Sequence, residues 1–236
     1  MTANPLANIN QRSDDMSFLE FLQVYQSKIF LEFYRHMKII LFSLPFSVIL
    51  SVPLGFYISS RPRTAKIVIY LASILMTIPS LALFGIMVVL LAPLKLGLGL
   101  TPAVLAITLY SLLPITRNTY TALNQVDPRM IEAAVGLGLS PLQILWKIKI
   151  PLSVPVIMAG VRNALVLGVS VATFASLVGA GGLGYFIFSG ISRANLKMVT
   201  IGALIVAALG IGVNYLLLLL EDALTPQGLK VHARTK

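Results

Sequence analysis

The stretch from Val126 to Pro151, VDPRMIEAAVGLGLSPLQILWKIKIP, decides how the chain is read. It mixes charged with apolar residues, and long apolar segments lie on both sides of it. Asp127 followed by Pro128 predicts a helix start. An Asp side chain takes an orphan backbone N–H there, and a proline at the first position gives up no hydrogen bond. Gly136 and Gly138 are expected to stop that short helix. Ser140, Pro141 and Gln143 predict a second start, with Ser as cap and Gln three residues later as a capping box. Pro151 is expected to end it, because the residue before a proline is pushed out of the helical region. The stretch therefore reads as two short helices joined by a glycine elbow, resting at a membrane surface.

Composition supplies the membrane. Of 236 residues, 57% are hydrophobic and 11% are charged, and the mean hydropathy is +0.90. Soluble domains carry about 25% charged residues. A run of about 20 apolar residues crosses a bilayer as a helix, so the expected class is an all-α integral membrane protein. The net charge of +10 does not indicate nucleic acid. The basic residues sit at segment ends, as orienting flanks do, and form no single stripe. The absence of cysteine excludes disulfides, thiol chemistry and Cys-based metal sites, and His36 and His232 are far apart, so neither metal nor cofactor is expected. The first apolar run begins near Ile39, late for a signal peptide, and is expected to be retained.

Three regions follow along the chain. Residues 1–37 comprise a polar tail and an amphipathic helix. In the latter, Phe18, Leu22, Tyr25, Ile29 and Phe33 separate from Glu20, Gln23, Lys28, Glu32 and Arg35. That pattern fits an interfacial helix lying along the membrane, or equally a helix packed on the protein's own rim. Residues 38–222 form the transmembrane domain, with five spans expected at 38–59, 67–92, 100–123, 152–178 and 198–220, and the surface segment at 126–151. Residues 223–236 are a basic tail. Five spans put the Arg61–Lys66 loop, the surface segment and the tail on one side, with Arg61, Arg63, Lys66, Arg129, Lys147, Lys149, Lys230, Arg234 and Lys236. The positive-inside rule makes that side the cytoplasm and leaves the N-terminus outside. Arg12, Lys28, Arg35, Lys95, Arg193 and Lys197 fall on the other.

Prolines and polar residues inside the spans suggest a path or a bend, or else close packing of small residues. Thr77, Ser80, Tyr110 and Asn118, near Pro79 and Pro114, are the path candidates. Arg162 and Asn163, about ten residues into the fourth span, join the path candidates. An arginine there faces the interior or a wet cavity, or snorkels to the surface. Arg117 reads as a snorkelling residue. Gly179, Gly181 and Gly184 match G-x-G-x-x-G, but the dinucleotide fingerprint requires a preceding strand and a following acidic residue, so a flexible turn is expected. No catalytic constellation occurs in the spans. Glu132 beside Ala133 and Ala134 has the character of a docking knob: small side chains admit a partner closely, and one fixed charge meets a basic pocket.

The spacing Glu132-Ala133-Ala134, three residues, Gly138, nine residues, Ile148, one residue, Ile150-Pro151 resembles the EAA signature of permease subunits of bacterial ABC importers, with Ile150 where leucine is usual. Ile78 to Leu83, Leu113 to Tyr120, Val126 to Pro128, Ile157 to Arg162 and Leu177 to Gly184 resemble the osmoprotectant branch, the permeases for glycine betaine, carnitine and choline. The resemblance covers residues 40–220. It implies a type I, MetI-like permease fold with five core helices, and a second permease copy or paralogue. It also implies cytoplasmic ATPase subunits that receive the EAA helix and hold ATP and Mg, and an extracytoplasmic substrate-binding protein. The chain has no G-x-x-x-x-G-K-[ST] phosphate loop of its own. On this resemblance Asp127, Arg129, Glu132, Ala133, Ala134, Gly136, Gly138, Ile148 and Pro151 carry the coupling. Two other readings stay open: a permease of the same architecture for another small solute such as an amino acid, and a channel or scaffold without an ATPase.

Overall fold

The computed structural model describes residues 17–225. The expected tail segments, with Arg12, Lys230, Arg234 and Lys236, lie outside the described residues. Among the described residues every regular element is helical. In chain order these are α1 (Phe18–Ser59), α2 (Pro62–Thr77), α3 (Ser80–Leu91), α4 (Leu100–Asn124), α5 (Pro128–Gly136), α6 (Pro141–Ile144), α7 (Ile150–Val171), α8 (Gly184–Ser192) and α9 (Leu196–Leu224). Four helical stretches are long and apolar enough to cross a membrane, or five when α2 and the bent segment after it count as one.

Two expected boundaries are corrected. The helix at 17–37 is not a separate interfacial element. It runs without a break into the first span, giving one helix of 42 residues. Nothing between Arg35 and Ile40 can stop a helix, and the two internal prolines, Pro45 and Pro53, are carried inside α1. The span expected at 67–92 is instead broken at Ile78-Pro79, where the chain turns by 100°. Ile78 adopts extended geometry (φ −67°, ψ 126°), as the residue before a proline does, and Pro79 (ψ 134°) precedes the start of α3.

The chain divides into two compact units. The first takes the described residues up to Ser43 together with Pro79–Ile107 and Gly168–Ile211. Its core is Phe21, Phe186, Met198 and Ile201, against which Leu22, Tyr25 and Ile29 of α1 pack. The apolar stripe of α1 is thus spent on α8 and α9 of the same chain, the second of the two readings of that stripe. The second unit takes Leu44–Ile78, Thr108–Leu167 and the described residues from Gly212. Its core joins Ile115 of α4 to Val161 and Ala164 of α7 and to Leu44, Val48 and Val52 of α1. Phe42, Phe46, Ile49 and Leu50 on α1, and Leu216, Leu218, Leu219 and Leu220 on α9, remain exposed. Helices satisfy their own backbone, so such apolar faces suit hydrocarbon.

Candidate functional site

Local chemistry builds the surface segment. Asp127 accepts the Arg129 N–H through Oδ1 at 2.9 Å, and Pro128 occupies the first turn, so α5 starts where two independent signals coincide. The helix closes with a Schellman pair: Leu139 N–H donates to Ala134 O (3.1 Å) and Gly138 N–H to Val135 O (2.9 Å). Gly138 takes φ +77°, the left-handed conformation that costs glycine nothing. Gly136 is still helical, so of the two glycines only Gly138 makes the elbow. Ser140 then opens α6 with a complete capping box. Its Oγ accepts Gln143 N–H at 3.3 Å, and its own N–H donates to Gln143 Oε1 at 2.9 Å.

Pro151 does not end this second helix, contrary to the local rule. α6 passes through a π turn at Leu145–Lys149 directly into α7. Ile150 is helical, with φ −62° and ψ −54°. A proline inside a helix crowds the carbonyl four residues earlier and withholds a donor from it. The wider π turn takes up that misfit ahead of Pro151, so the rod continues. Residues Pro141–Val178 form one helical stretch of 38 residues. The second surface helix and a stretch long enough to cross a membrane are one continuous rod.

Glu132 and Ala133 are exposed, as are Asp127 and Arg129, whereas Ala134 is buried at 3% and Ile144 at 5%. Only one of the two alanines is therefore presented outward; the other anchors α5 to the chain. Ile148 and Pro151 are half-buried. Val135, Leu137 and Leu142 of the same segment are also exposed, Leu137 at 81%. A rigid, capped surface with exposed apolar side chains and two carboxylates, Asp127 and Glu132, is what the segment offers.

The path candidates are not gathered into one site. Tyr110 donates its hydroxyl to Ile78 O, filling an acceptor freed at the break before Pro79. Thr77 is exposed and bonds back to Ile74 O at 2.7 Å. Ser80 opens α3 in the first unit. Asn118 donates Nδ2–H to Pro114 O at 2.9 Å and packs against Gly160 of α7. Asn163 is exposed. Arg162 Nη1 lies 2.6 Å from Glu221 Oε2, each side chain 22% exposed, so its charge is answered within the chain.

Sequence reasoning missed a second cluster. Glu32, expected on a polar face, is buried. It accepts Gly182 N–H at 2.8 Å and holds Lys28 (3.0 Å) and Arg35 (3.1 Å). One turn along, buried His36 accepts Leu183 N–H on Nδ1 at 3.3 Å, which leaves its proton on Nε2 to be donated to Val169 O at 3.1 Å. The glycine run is thus a backbone turn strapped to α1. It follows a 3₁₀ helix, Ala172–Val178, and not a strand. The one available signal was the pair of ionisable residues four apart in a segment otherwise heading into the bilayer. Among the described residues no cluster of His, Asp or Glu is arranged to hold a metal ion.

Helices long and apolar enough to cross a membrane, one of them continuous with a capped surface segment, define an all-helical membrane protein. The chain belongs to the family described as binding-protein-dependent transport system inner membrane component, which matches residues 30–227. It is 41% identical over 197 residues to the osmoprotectant import permease protein OsmW of Salmonella typhimurium, covering 84% of this chain and 92% of that protein. It is 38% identical over 209 residues to the carnitine transport permease protein OpuCD of Listeria monocytogenes, covering 88% and 92%. It is 35% identical over 212 residues to the choline transport system permease protein OpuBB of Bacillus subtilis, covering 90% and 95%. Among solved structures, an inward-facing form of the MetNI methionine ABC transporter aligns with a TM-score of 0.73 over 82% of this chain and 94% of that chain, at 21% identity. That likeness establishes the MetI-like fold.

Proposed function

We propose that the chain is the permease subunit of an ATP-driven importer for osmoprotectants of the quaternary-amine type, glycine betaine, carnitine or choline. The observation that carries the coupling half of this reading is the lever: a capped surface element presenting Glu132, Val135, Leu137 and Leu142, and running through a π turn into α7. The substrate half is supported by relatives whose names specify osmoprotectant, carnitine and choline transport.

In this reading two permease chains, identical or paralogous, enclose the path, and cytoplasmic ATPase subunits receive α5 in a surface groove. An extracytoplasmic binding protein delivers the substrate. ATP and Mg are held by the ATPases, since this chain carries no phosphate loop. ATP binding draws the ATPases together, the lever moves as a near-rigid body, and the spans pass from inward-open to outward-open. The basic loop, the lever and the tail face the cytoplasm, with the N-terminus outside.

The test is uptake of labelled glycine betaine, carnitine and choline by the complex reconstituted with its ATPase and binding protein. ATP-dependent accumulation of at least one of them supports the reading; accumulation of none overturns the substrate class.

A further inference from the structure

One cavity in the second unit is unused by the coupling segment. It has a volume of about 340 Å³ and lies between α2 and α4, lined by Ala65, Lys66, Ile69, Tyr70, Ser73, Arg117 and Tyr120. Lys66, Tyr70 and Ser73 are spaced at i, i+4 and i+7, so α2 turns one stripe toward it, and Arg117 and Tyr120 at i and i+3 do the same from α4.

Two features of the lining matter. Lys66 and Arg117 both line this groove, and among the described residues neither forms an ion pair. Glu32 and Glu221 are already committed to other cations. Both residues are exposed at the rim of this open groove, and an anion that bridges them relieves the repulsion of two like charges. The remaining lining combines the hydroxyl donors of Tyr70 and Tyr120 with the apolar Ala65 and Ile69, while the Ser73 hydroxyl donates to Ile69 O at 2.7 Å. Beside it on α2, Ile67, Leu71 and Ile74 are exposed and continue an apolar track along the span. Lys66 lies one turn into a span that begins at the Arg61-Pro62-Arg63 loop, at the level where headgroups meet hydrocarbon.

We infer that this cavity binds the phosphate of an anionic phospholipid. Lys66 and Arg117 hold the phosphate, the Tyr70 and Tyr120 hydroxyls donate to it, and an acyl chain lies along Ile67, Leu71 and Ile74. The acyl track is what favours a lipid over a soluble anion: a free phosphate would use the cations and leave the track unused. The bound lipid would steady α2 against α4 beside the break at Ile78-Pro79.

The test uses the full chain in nanodiscs of phosphatidylcholine with a minor share of phosphatidylglycerol, extracted gently, with co-purifying lipid counted by mass spectrometry. The wild type is expected to retain phosphatidylglycerol over phosphatidylcholine. Lys66→Gln and Arg117→Gln should each lower that retention about fivefold, and the double variant roughly 30-fold, from the worth of one basic residue at an anionic surface. Arg63→Gln, outside the cavity, should leave it unchanged, and Lys66→Arg with Arg117→Lys should keep it, which separates loss of the site from loss of the fold. Retention indifferent to the double substitution overturns the proposal. So does displacement of the lipid by excess inorganic phosphate, which would make the cavity a soluble-anion site.

Discussion

Arg162 of α7 and Glu221 of α9 are 59 residues apart in sequence, and their charged atoms are 2.6 Å apart in the fold. The pair answers a charge that the bilayer would otherwise penalise, and it ties the lever's own span to the last helix. It is partly exposed, so its worth lies between that of a surface pair and a buried one. Arg162→Leu or Glu221→Gln should lower the stability of the purified chain by roughly 1–3 kcal/mol. The exchange Arg162→Glu with Glu221→Arg should recover more than half of that in a thermal-denaturation assay. An exchange no better than the single variants would show that packing, not charge, joins the two helices.

Gly138 sets the angle between α5 and α6. A methyl group there meets nothing within 4 Å, so only the backbone conformation resists substitution. Gly138→Ala should cost about 1–2 kcal/mol at φ +77°, and Gly138→Asn less. Because the strain can be relieved by opening the elbow, transport should fall more steeply than stability does. Equal transport by the Ala and Gly chains would remove the elbow from the mechanism.

Gly160 allows α7 to approach α4 closely. A Cβ there would lie 2.6 Å from Asn118 Cβ and 2.9 Å from Pro114 O. The backbone oxygen cannot yield as a flexible side-chain end does, so Gly160→Ala should destabilise the chain by about 1–3 kcal/mol as overpacking. The melting temperature of the variant in detergent reads this directly, and an unchanged value would mean the helices part freely.

Glu32 is the acceptor for the Gly182 amide and the partner of two cations. Glu32→Ala strands all three groups and should cost about 2–3 kcal/mol. Limited proteolysis should then cut within residues 179–184 while the wild type stays intact. If the cleavage pattern is the same in both, the strap does not hold the turn.

Some of this was legible in the sequence because it is local. The Asp127 cap, the Ser140–Gln143 box and the Gly138 turn each depend on residues within a few positions of one another, and each formed as read. Pro79 was legible as a bend or a packing site inside one span; the break itself and its 100° angle were not, since direction depends on what the two helices pack against. Pro151 was misread because a local rule met a non-local remedy, the π turn. The first helix was divided where polarity changes, but a change of polarity does not stop a helix; only a lost hydrogen bond or a steric clash does. Glu32 with Gly182, and His36 with Val169, join positions 150 and 133 residues apart, and no spacing rule reaches that far. The local shape of the 126–151 segment was legible nearly whole because one continuous stretch builds it. The path candidates were not, since Tyr110, Asn118 and Arg162 are each satisfied by partners that only the fold brings near.

The central claim is that α5 is the handle by which partner ATPases move the spans. Its most direct measurement compares wild type and Glu132→Arg in the reconstituted complex, following ATP hydrolysis and uptake of labelled glycine betaine, carnitine and choline together. Glu132 is exposed and makes no contact that the fold needs, so the variant should keep its melting temperature. The account predicts that uptake falls at least tenfold and that substrate-stimulated hydrolysis falls with it, or that the ATPases no longer co-purify. Unchanged uptake with the ATPases still bound would contradict it.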